Sequence, residues 1–513
     1  MEQQGDPARP VQSLLVYTGQ PLIDVGVATI IAFAGCSTPA EVTRADLDKI
    51  VEYIATSYVR EPLKSFLASI YPNAAYVNPT MGAEKRAETM MRFLRGYAAP
   101  ASDPSRRCAF CGRPACDVVF RQHIPLTAGE GVINFGPGGR PGLQICGGCL
   151  LASQAFPLGC GVKVAGRALL VHSDDPTLML EFARLFLQEN QRHLTVADAS
   201  GDVKMSFPRT IVISHLTKIE QRRTFEARPS SITAYHLTNY GTNADVAILH
   251  LPSQTISFLK TVGSDHYRDV WPAIVARAWV QQKQPKESSR GSGKTMKGEK
   301  PPAAAVPQEG AATPIGTRRN RLYEDLFDAS VAPARAARFI RRYFLRGAKG
   351  AASLLEGDTD RLDRLRLVSW PLTELFLRKV IQMEPYRVGA IRAVGDRLAA
   401  AIEANDDQRL LKDLYAAKRY PFLRTTLLKA NNAQVKAGAA PLISFDDFIT
   451  IFEDNEDAAS LNWTLARDLM YIRVLDVLYN TGWIGRNAGI AQTVLDQLAE
   501  ADSQEEQEGL ATA

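Results

Sequence analysis

The tightest constraint on this chain is a doubled pair of cysteines. Cys108-Ala-Phe-Cys111-Gly is followed, after 34 residues, by Cys146-Gly-Gly-Cys149. A tetrahedral zinc needs four soft or borderline ligands converging from two directions, and a Cys-x-x-Cys turn is the shortest element that points two thiolates at one ion. Two such turns make a closed structural zinc site. Two disulfides or four unrelated core thiols are the competing readings, and the doubled spacing seldom arises by either route. Gly112 lets the chain leave the first knuckle, and Gly147 and Gly148 let backbone amides approach the second pair of sulfurs. A zinc with four thiolates has no open position for water or substrate, so it staples a loop-rich segment and does no chemistry itself. Cys36, Cys116 and Cys160 are left over and read as buried free thiols, although Cys116 and Cys160 lie close enough in sequence to stand in for a lost ligand.

At 513 residues the chain is too long for a single core, and its length suggests about three domains. No window reaches the roughly 18–20 uninterrupted apolar residues that a membrane helix needs. The opening Met1-Glu-Gln-Gln-Gly-Asp lacks the basic and apolar regions of a signal peptide. With the paired thiols read as metal ligands, this points to a reducing cytoplasm and no membrane partner. The net charge of +5 hides a sharper pattern: residues 331–440 hold 21 Lys and Arg against 11 Asp and Glu, while 441–513 hold 3 against 14. A polyanion would meet the first block and be repelled by the second.

In chain order the expected architecture is α+β and multidomain. A helical N-terminal segment (1–100) is followed by a zinc-ribbon-like insert (101–160), a mixed, β-rich region (161–280), a linker (281–316) and an all-α C-terminal bundle (317–513). Asp24 is placed to cap a first helix that buries Val27, Ile30 and Ile31 and ends at Gly35. Thr43 and Asp46 form a capping-box pattern for a second. Residues 83–97 read as a further helix carrying Lys85, Arg86, Arg92 and Arg95. Val162–Val171, Thr210–Ser214, Ile232–His236 and Val246–Leu251 are β-rich runs and read as strands; Asp175–Gln188 reads as a helix among them. The linker is rich in Pro, Ala, Gly and Ser and cannot bury enough apolar surface to fold. Its Gly293-Lys294-Thr295 resembles the end of a P-loop, but Ser288 stands where the earlier glycine is required. Beyond it, Leu362, Leu365, Val368, Leu372, Leu375 and Phe376, and then Leu465, Leu469, Ile472, Leu475 and Leu478, repeat at helical spacing. Two more helices, Asp407–Tyr420 and Phe422–Lys436, are expected to split at Pro421.

Three stretches carry possible chemistry or binding. Arg121-Gln-His-Ile-Pro between the cysteine pairs resembles the treble-clef HNH nucleases, with His123 at the general-base position. Gln122 and Pro141 replace the metal ligand and the later Asn of that motif, and no His follows Cys149, so the ion that would stabilise a leaving phosphate oxygen lacks a ligand. In Pro333–Gly350, Arg335, Arg338, Arg342, Arg346 and Lys349 recur at three and four, forming one basic stripe with Phe339, Ile340, Tyr343 and Phe344 left for the core. No acid within that segment pairs with the stripe, and guanidinium rows suit phosphate backbones. Lys418, Arg419 and Arg424, with Lys412, Lys429 and Lys436, extend this chemistry to the next helices. The glycine-rich loop Thr127–Gly142 permits close backbone approach to a ligand, with Asn134 and Arg140 able to read a groove edge, or it only wraps the zinc.

The doubled cysteine pairs, the opening Tyr17-Thr-Gly-Gln-Pro-Leu-Ile-Asp-Val-Gly26, the Tyr76-Val-Asn-Pro79 turn and the helical C-terminal half together resemble the CXXC-CXXC large subunit of the type I-B CRISPR Cascade complex. That resemblance runs along essentially the whole chain. It implies a non-catalytic, DNA-binding role in RNA-guided antiviral defence: recognising the protospacer-adjacent motif in double-stranded DNA and stabilising the R-loop and its displaced strand. The partners it implies are a guide RNA, the target DNA, backbone, guide-end-binding and small helical subunits, and a recruited helicase-nuclease or transposition protein. Asn78, Asn134, Arg140 and Lys163 are candidate motif-reading residues chosen as polar loop positions. The resemblance also implies that an internal start, at Met383 or at Met296, supplies the small subunit. An HNH-like metal-dependent nuclease and a zinc-ribbon protein-interaction adaptor are the alternative functions.

Overall fold

A computed structural model describes residues 14–77, 80–98, 105–132, 139, 141–196, 205–222, 230–240, 244–267, 270–280, 317–329, 336, 339–340, 342–344, 370–455, 458–459 and 463–487. The chain is mixed α and β and mostly helical. Helix α1 (Pro21–Ala34) is buried along Leu22–Ile31, which its near-continuous apolar sequence requires. Its N-cap is Gln20, whose side chain accepts from the Ile23 amide. Asp24, expected as the cap, instead lies buried in the first turn. Its carboxylate reaches back to accept from the Thr18 amide (2.6 Å), the Thr18 hydroxyl (2.9 Å) and the Gly19 amide (2.8 Å), so it folds the entering loop onto the helix. Gly35 ends α1 in the left-handed region, as expected.

The Thr43–Asp46 capping box opens α2 (Arg44–Ser57). Next come α3 (Leu63–Ile70) and α4 (Ala83–Leu94), the latter running into a 3-10 turn at Arg95–Ala98. The short strands β1 (Asp117–Val119) and β2 (Leu143–Ile145) pair antiparallel and lead into α5 (Gly147–Ala155). Strands β3 (Gly161–Val164) and β4 (Arg167–Ser173) form a hairpin closed by Ala165 and Gly166, both at positive φ. Helices α6 (Pro176–Val196) and α7 (Pro208–Arg222) then lead to β5 (Ile232–Thr238) and β6 (Asp245–Leu251), completing an antiparallel sheet in the order β3-β4-β5-β6.

Thr210–Ser214, expected as a strand, lies inside α7. Its Thr-Ile-Val-Ile run is β-prone, but Pro208 at the helix start and buried Ile211, Val212, His215, Leu216 and Ile219 continue at helical spacing, and packing overrides propensity.

The sheet and α6 form a wall shared by two cores. Leu169, Val171 and Ala234 face one side and Ala168, Leu170 and Leu237 the other, as the two-residue period of a strand dictates. The first core takes in α7, α8 (Ser253–Val262), α9 (Trp271–Arg277), α10 (Arg321–Ala329) and the C-terminal helices; the second takes in α1 to α5 and the cysteine segment. The C-terminal helices are α11 (Trp370–Phe376), extended by a π-turn at Leu377–Ile381, then α12 (Pro385–Asn405), α13 (Gln408–Ala416), α14 (Tyr420–Lys436), α15 (Phe445–Phe452) and α16 (Trp463–Asn480). Leu465, Leu469, Ile472, Leu475 and Leu478 of α16 are all buried, with α12 packed alongside. Pro421, expected between two helices, instead falls at the second position of α14, where its missing N–H breaks no helical bond; the break comes earlier, between Ala416 and Tyr420. Residues 1–13, the linker 281–316 and Leu362, Leu365 and Val368 lie outside the described residues.

The approach of α1 to α5 depends on Gly26. A Cβ there would sit 1.9 Å from the Ala152 carbonyl oxygen, so two backbones would have to separate. Gly26→Ala is expected to cost roughly 3 kcal/mol in denaturant unfolding, and a variant indistinguishable from wild type would refute that account of the packing.

Candidate functional site

The first knuckle is a tight turn in which the Cys108 amide donates to Arg113 O (2.7 Å) and the Gly112 amide to Cys108 O (3.0 Å), with Gly112 at positive φ as its sequence position requires. The Cys116 amide donates to Ile145 O and the Ala109 amide to Gln144 O, which ties this turn to β2 just before the second pair. Cys146 is the N-cap of α5, and its sulfur accepts the Cys149 amide. The second pair therefore opens a helix rather than sitting on a second β-knuckle as a zinc ribbon would have it. A helix N-terminus favours thiolates electrostatically.

Gly147 and Gly148 are glycines for a reason other than amide approach to sulfur. A Cβ on Gly147 would meet the Tyr97 amide nitrogen at 2.3 Å, and one on Gly148 the Leu14 carbonyl at 2.2 Å. Their absent side chains let the 3-10 turn after α4 and the chain entering α1 pack directly on the knuckle helix.

All four sulfurs lie within 4.8 Å of one another, and Cys111 Sγ is 3.5 Å from Cys146 Sγ. A tetrahedron with metal–sulfur bonds of about 2.3 Å has edges of about 3.8 Å, so the cluster fits one ion. Cys108, Cys146 and Cys149 are buried within the second core. Left to themselves, the thiols compete for one charge. Hydrogen bonding from Cys146 and then Cys149 holds Cys108 well below the usual thiol range. The same contact with Cys108 pushes Cys146 up to about 12 and raises Cys149 further. A divalent cation removes that competition by accepting all four thiolates. Among the described residues this is the group of His, Cys, Asp and Glu placed to hold a metal. Cys160 is fully buried, and Cys36 and Cys116 are partly so; all three are free thiols, as expected.

No family model, curated protein or solved structure matches this chain. Its candidate residues therefore stand on their own surroundings.

His123 is packed into the second core's edge. Its ring stacks on Phe93 (centroids 5.1 Å apart), its Nδ1 accepts from the Phe120 amide at 3.4 Å, and burial holds its pKa below the ordinary value. Its carbonyl accepts from Gln154 Nε2 (2.6 Å). Two residues earlier, Arg121 donates to Asn239 Oδ1 and O, and Asn239, fully buried, donates to Ile70 O. Asn239 thus locks the cysteine-bearing segment to α3 and the end of β5. This residue is not legible in the sequence, because nothing in a lone Asn after a strand predicts three distant partners.

Among the motif-reading candidates, Lys163 lies on β3 with φ +54°, at a register shift between Gly161 and Val164. An L-residue held in that region is strained, which the surrounding hairpin enforces. Asn78, Asn134 and Arg140 lie outside the described residues, as do Arg335, Arg338, Arg346 and Lys349 of the basic stripe. Arg342 is described and has an acid to pair with from outside its own segment. Its Nη1 is 2.9 Å from Asp325 Oδ2 on α10, which also accepts from the Tyr343 hydroxyl (2.7 Å). Phe339, Ile340, Tyr343 and Phe344 are buried, as their spacing implied.

Lys418, Arg419 and Arg424 gather at the start of α14. All three are exposed, and Arg419 is the N-cap without a side-chain cap bond. Nearby arginines are committed to acids: Arg397 to Asp447, Arg409 to Asp413, Arg467 to Asp468 and Arg473 to Asp396 and Asp476. Lys418, Arg419, Arg424, Lys429 and Lys436 have no ion pair among the described residues. Cations at a helix N-terminus oppose its dipole, so they do not stabilise α14. Exposed Phe422, Leu428 and Val435 are interleaved with them.

Proposed function

We propose that this chain is the non-catalytic large subunit of a type I-B-like, RNA-guided Cascade complex, which recognises a protospacer-adjacent motif in duplex DNA and stabilises the opened R-loop. The resemblance of its N-terminal stretch and doubled cysteines motivates the reading, and the unpaired cations around the N-terminus of α14 carry it. There, Lys418, Arg419 and Arg424 favour a phosphate, and Phe422 offers a ring on which a base can stack. The metal is zinc in this proposal, because four thiolates at tetrahedral separation suit it, and it acts as a structural staple holding the N-terminal loops. Among the described residues no helix is long and apolar enough to cross a membrane. The partners are guide RNA, target DNA and the other Cascade subunits, with an effector nuclease or transposition protein recruited later.

Affinity purification of the tagged chain from its native cells tests this. Guide-length RNA and several companion subunits are expected to copurify. Metal-dependent DNA cleavage by the isolated chain, abolished by His123→Ala, would replace this reading with the nuclease. Neither RNA nor DNA affinity would leave the zinc-bearing adaptor.

A C-terminal small subunit is part of the same proposal. A product starting at Met383 keeps α12 to α16 and the α14 cations but loses α11, whose Trp370 lies under Arg473 of α16. Met383→Leu is expected to remove a short C-terminal species from the mass spectrum of the purified complex. Its absence from the unmutated complex would mean that the small subunit comes from elsewhere.

A further inference from the structure

Helix α4 buries the stripe Arg86, Met90 and Leu94, spaced by four, against α2 and the turn at Ala75–Val77. Two of these are apolar, as a buried stripe demands. The third is an arginine, 6% exposed. Its Nε is sealed from solvent and meets no acceptor. The guanidinium has no hydrogen bond or ion pair among the described residues. The acids on the two helices are engaged elsewhere: Asp46 closes the capping box and meets Lys49, Asp48 accepts from the Tyr97 hydroxyl, and Glu52, Glu84 and Glu88 face solvent. Nη1 and Nη2 are not sealed with it, so the tip of this largely buried guanidinium, which lacks a counter-charge among the described residues, is open to an anion from outside.

The surroundings say what that is. Arg86 is the fourth residue of α4, and side chains on a helix lean toward its N-terminus, which directs the Arg86 stem toward the first turn. The N-cap is Gly82, which contributes no side-chain bond, leaving the Ala83, Glu84 and Lys85 amides uncapped at the positive end of the helix. A Cβ built on Gly82 would meet nothing within 4 Å, so the approach to this end is open. Planar guanidinium donors beside free helix amides match the several oxygens of a tetrahedral anion.

We propose that Arg86 and the first-turn amides of α4 form a site for a phosphate group, separate from the cations of α14. Two sources can supply it, free phosphate or a nucleic-acid backbone, and two arms of one experiment tell them apart. In the first, the full chain is melted with increasing inorganic phosphate against chloride of equal ionic strength. The wild type is expected to gain about 2 °C or more in a saturable way. Arg86→Met is expected to lose that response while melting no lower than the wild type without phosphate, because a charge lacking a partner has left the interior. Arg86→Lys, which keeps a cation, is expected to retain part of the response. No phosphate-specific gain in the wild type, an equal gain in Arg86→Met, or a melting point well below wild type for Arg86→Met would each overturn the site.

The second arm titrates a labelled DNA duplex and rests on the nucleic-acid reading above; the first arm does not. If the phosphate belongs to the backbone, Arg86→Met is expected to weaken binding about tenfold and to flatten the log–log salt slope by about 0.9. Unchanged duplex binding with the phosphate response intact in the wild type assigns the site to free phosphate. Failure of duplex binding in the wild type would defeat the proposed function while leaving the first arm to decide the site.

Discussion

Replacing Cys108 and Cys146 together by serine is expected to unfold the N-terminal core, at a cost of more than about 4 kcal/mol. The two pairs approach from opposite directions, one from a turn tied to β2 and the other from the first turn of α5. Without an ion the thiols compete for charge inside a core. With it, the knuckle helix is fixed to the turn. Through Gly147 and Gly148 that helix also anchors the 3-10 turn after α4 and the entry to α1, so the loss spreads through the whole second core. Elemental analysis of purified wild type is expected to give one zinc per chain. Less than half an equivalent, with all four thiols intact, would refute the assignment. Chelation should release four reactive thiols together with a drop in melting temperature.

Changing Lys418, Arg419, Arg424, Lys429 and Lys436 to alanine together is expected to weaken DNA binding by the assembled complex evenly across target sequences. The log–log salt slope should flatten by about 0.7–0.9 per lost phosphate contact, so the loss of three contacts lowers affinity about a hundredfold or more at moderate salt. These side chains are exposed and have no ion pair among the described residues, so melting temperature should move little. Arg342→Ala is the contrasting case. Arg342 and Tyr343 share Asp325, and its removal is expected to cost about 1.5 kcal/mol of stability while leaving the salt slope unchanged. A slope unaffected by the fivefold change, or altered by Arg342→Ala, would move the nucleic-acid surface away from α14.

The features legible in the sequence are those fixed over a few residues. The Thr43–Asp46 box, the stop at Gly35 and the apolar repeat of α16 each follow from local hydrogen bonding, backbone freedom or a period of 3.6. Thr210–Ser214 went the other way because a short β-branched run carries no period of its own. What surrounds it in α7 settles the matter.

Spacing alone brought the four cysteines together, because two Cys-x-x-Cys turns leave little other use for eight positions. The same reasoning failed wherever a residue's role depends on a partner outside its own helix or loop. Asp24 serves the loop before it, Gly147 and Gly148 serve backbones 50 and 134 residues earlier, and Arg342 has an acid 17 residues back that its own segment lacks. Asn239 carried no signal at all, and Arg86 read only as one of four basic residues on its helix. The sequence by itself determined where some helices begin or end, as at Thr43 and Gly35, and which four cysteines are placed to hold an ion, because those depend on short-range geometry. Only the tertiary structure decided which charges are already neutralised and which have no counter-charge among the described residues, because pairing is a matter of which surfaces meet.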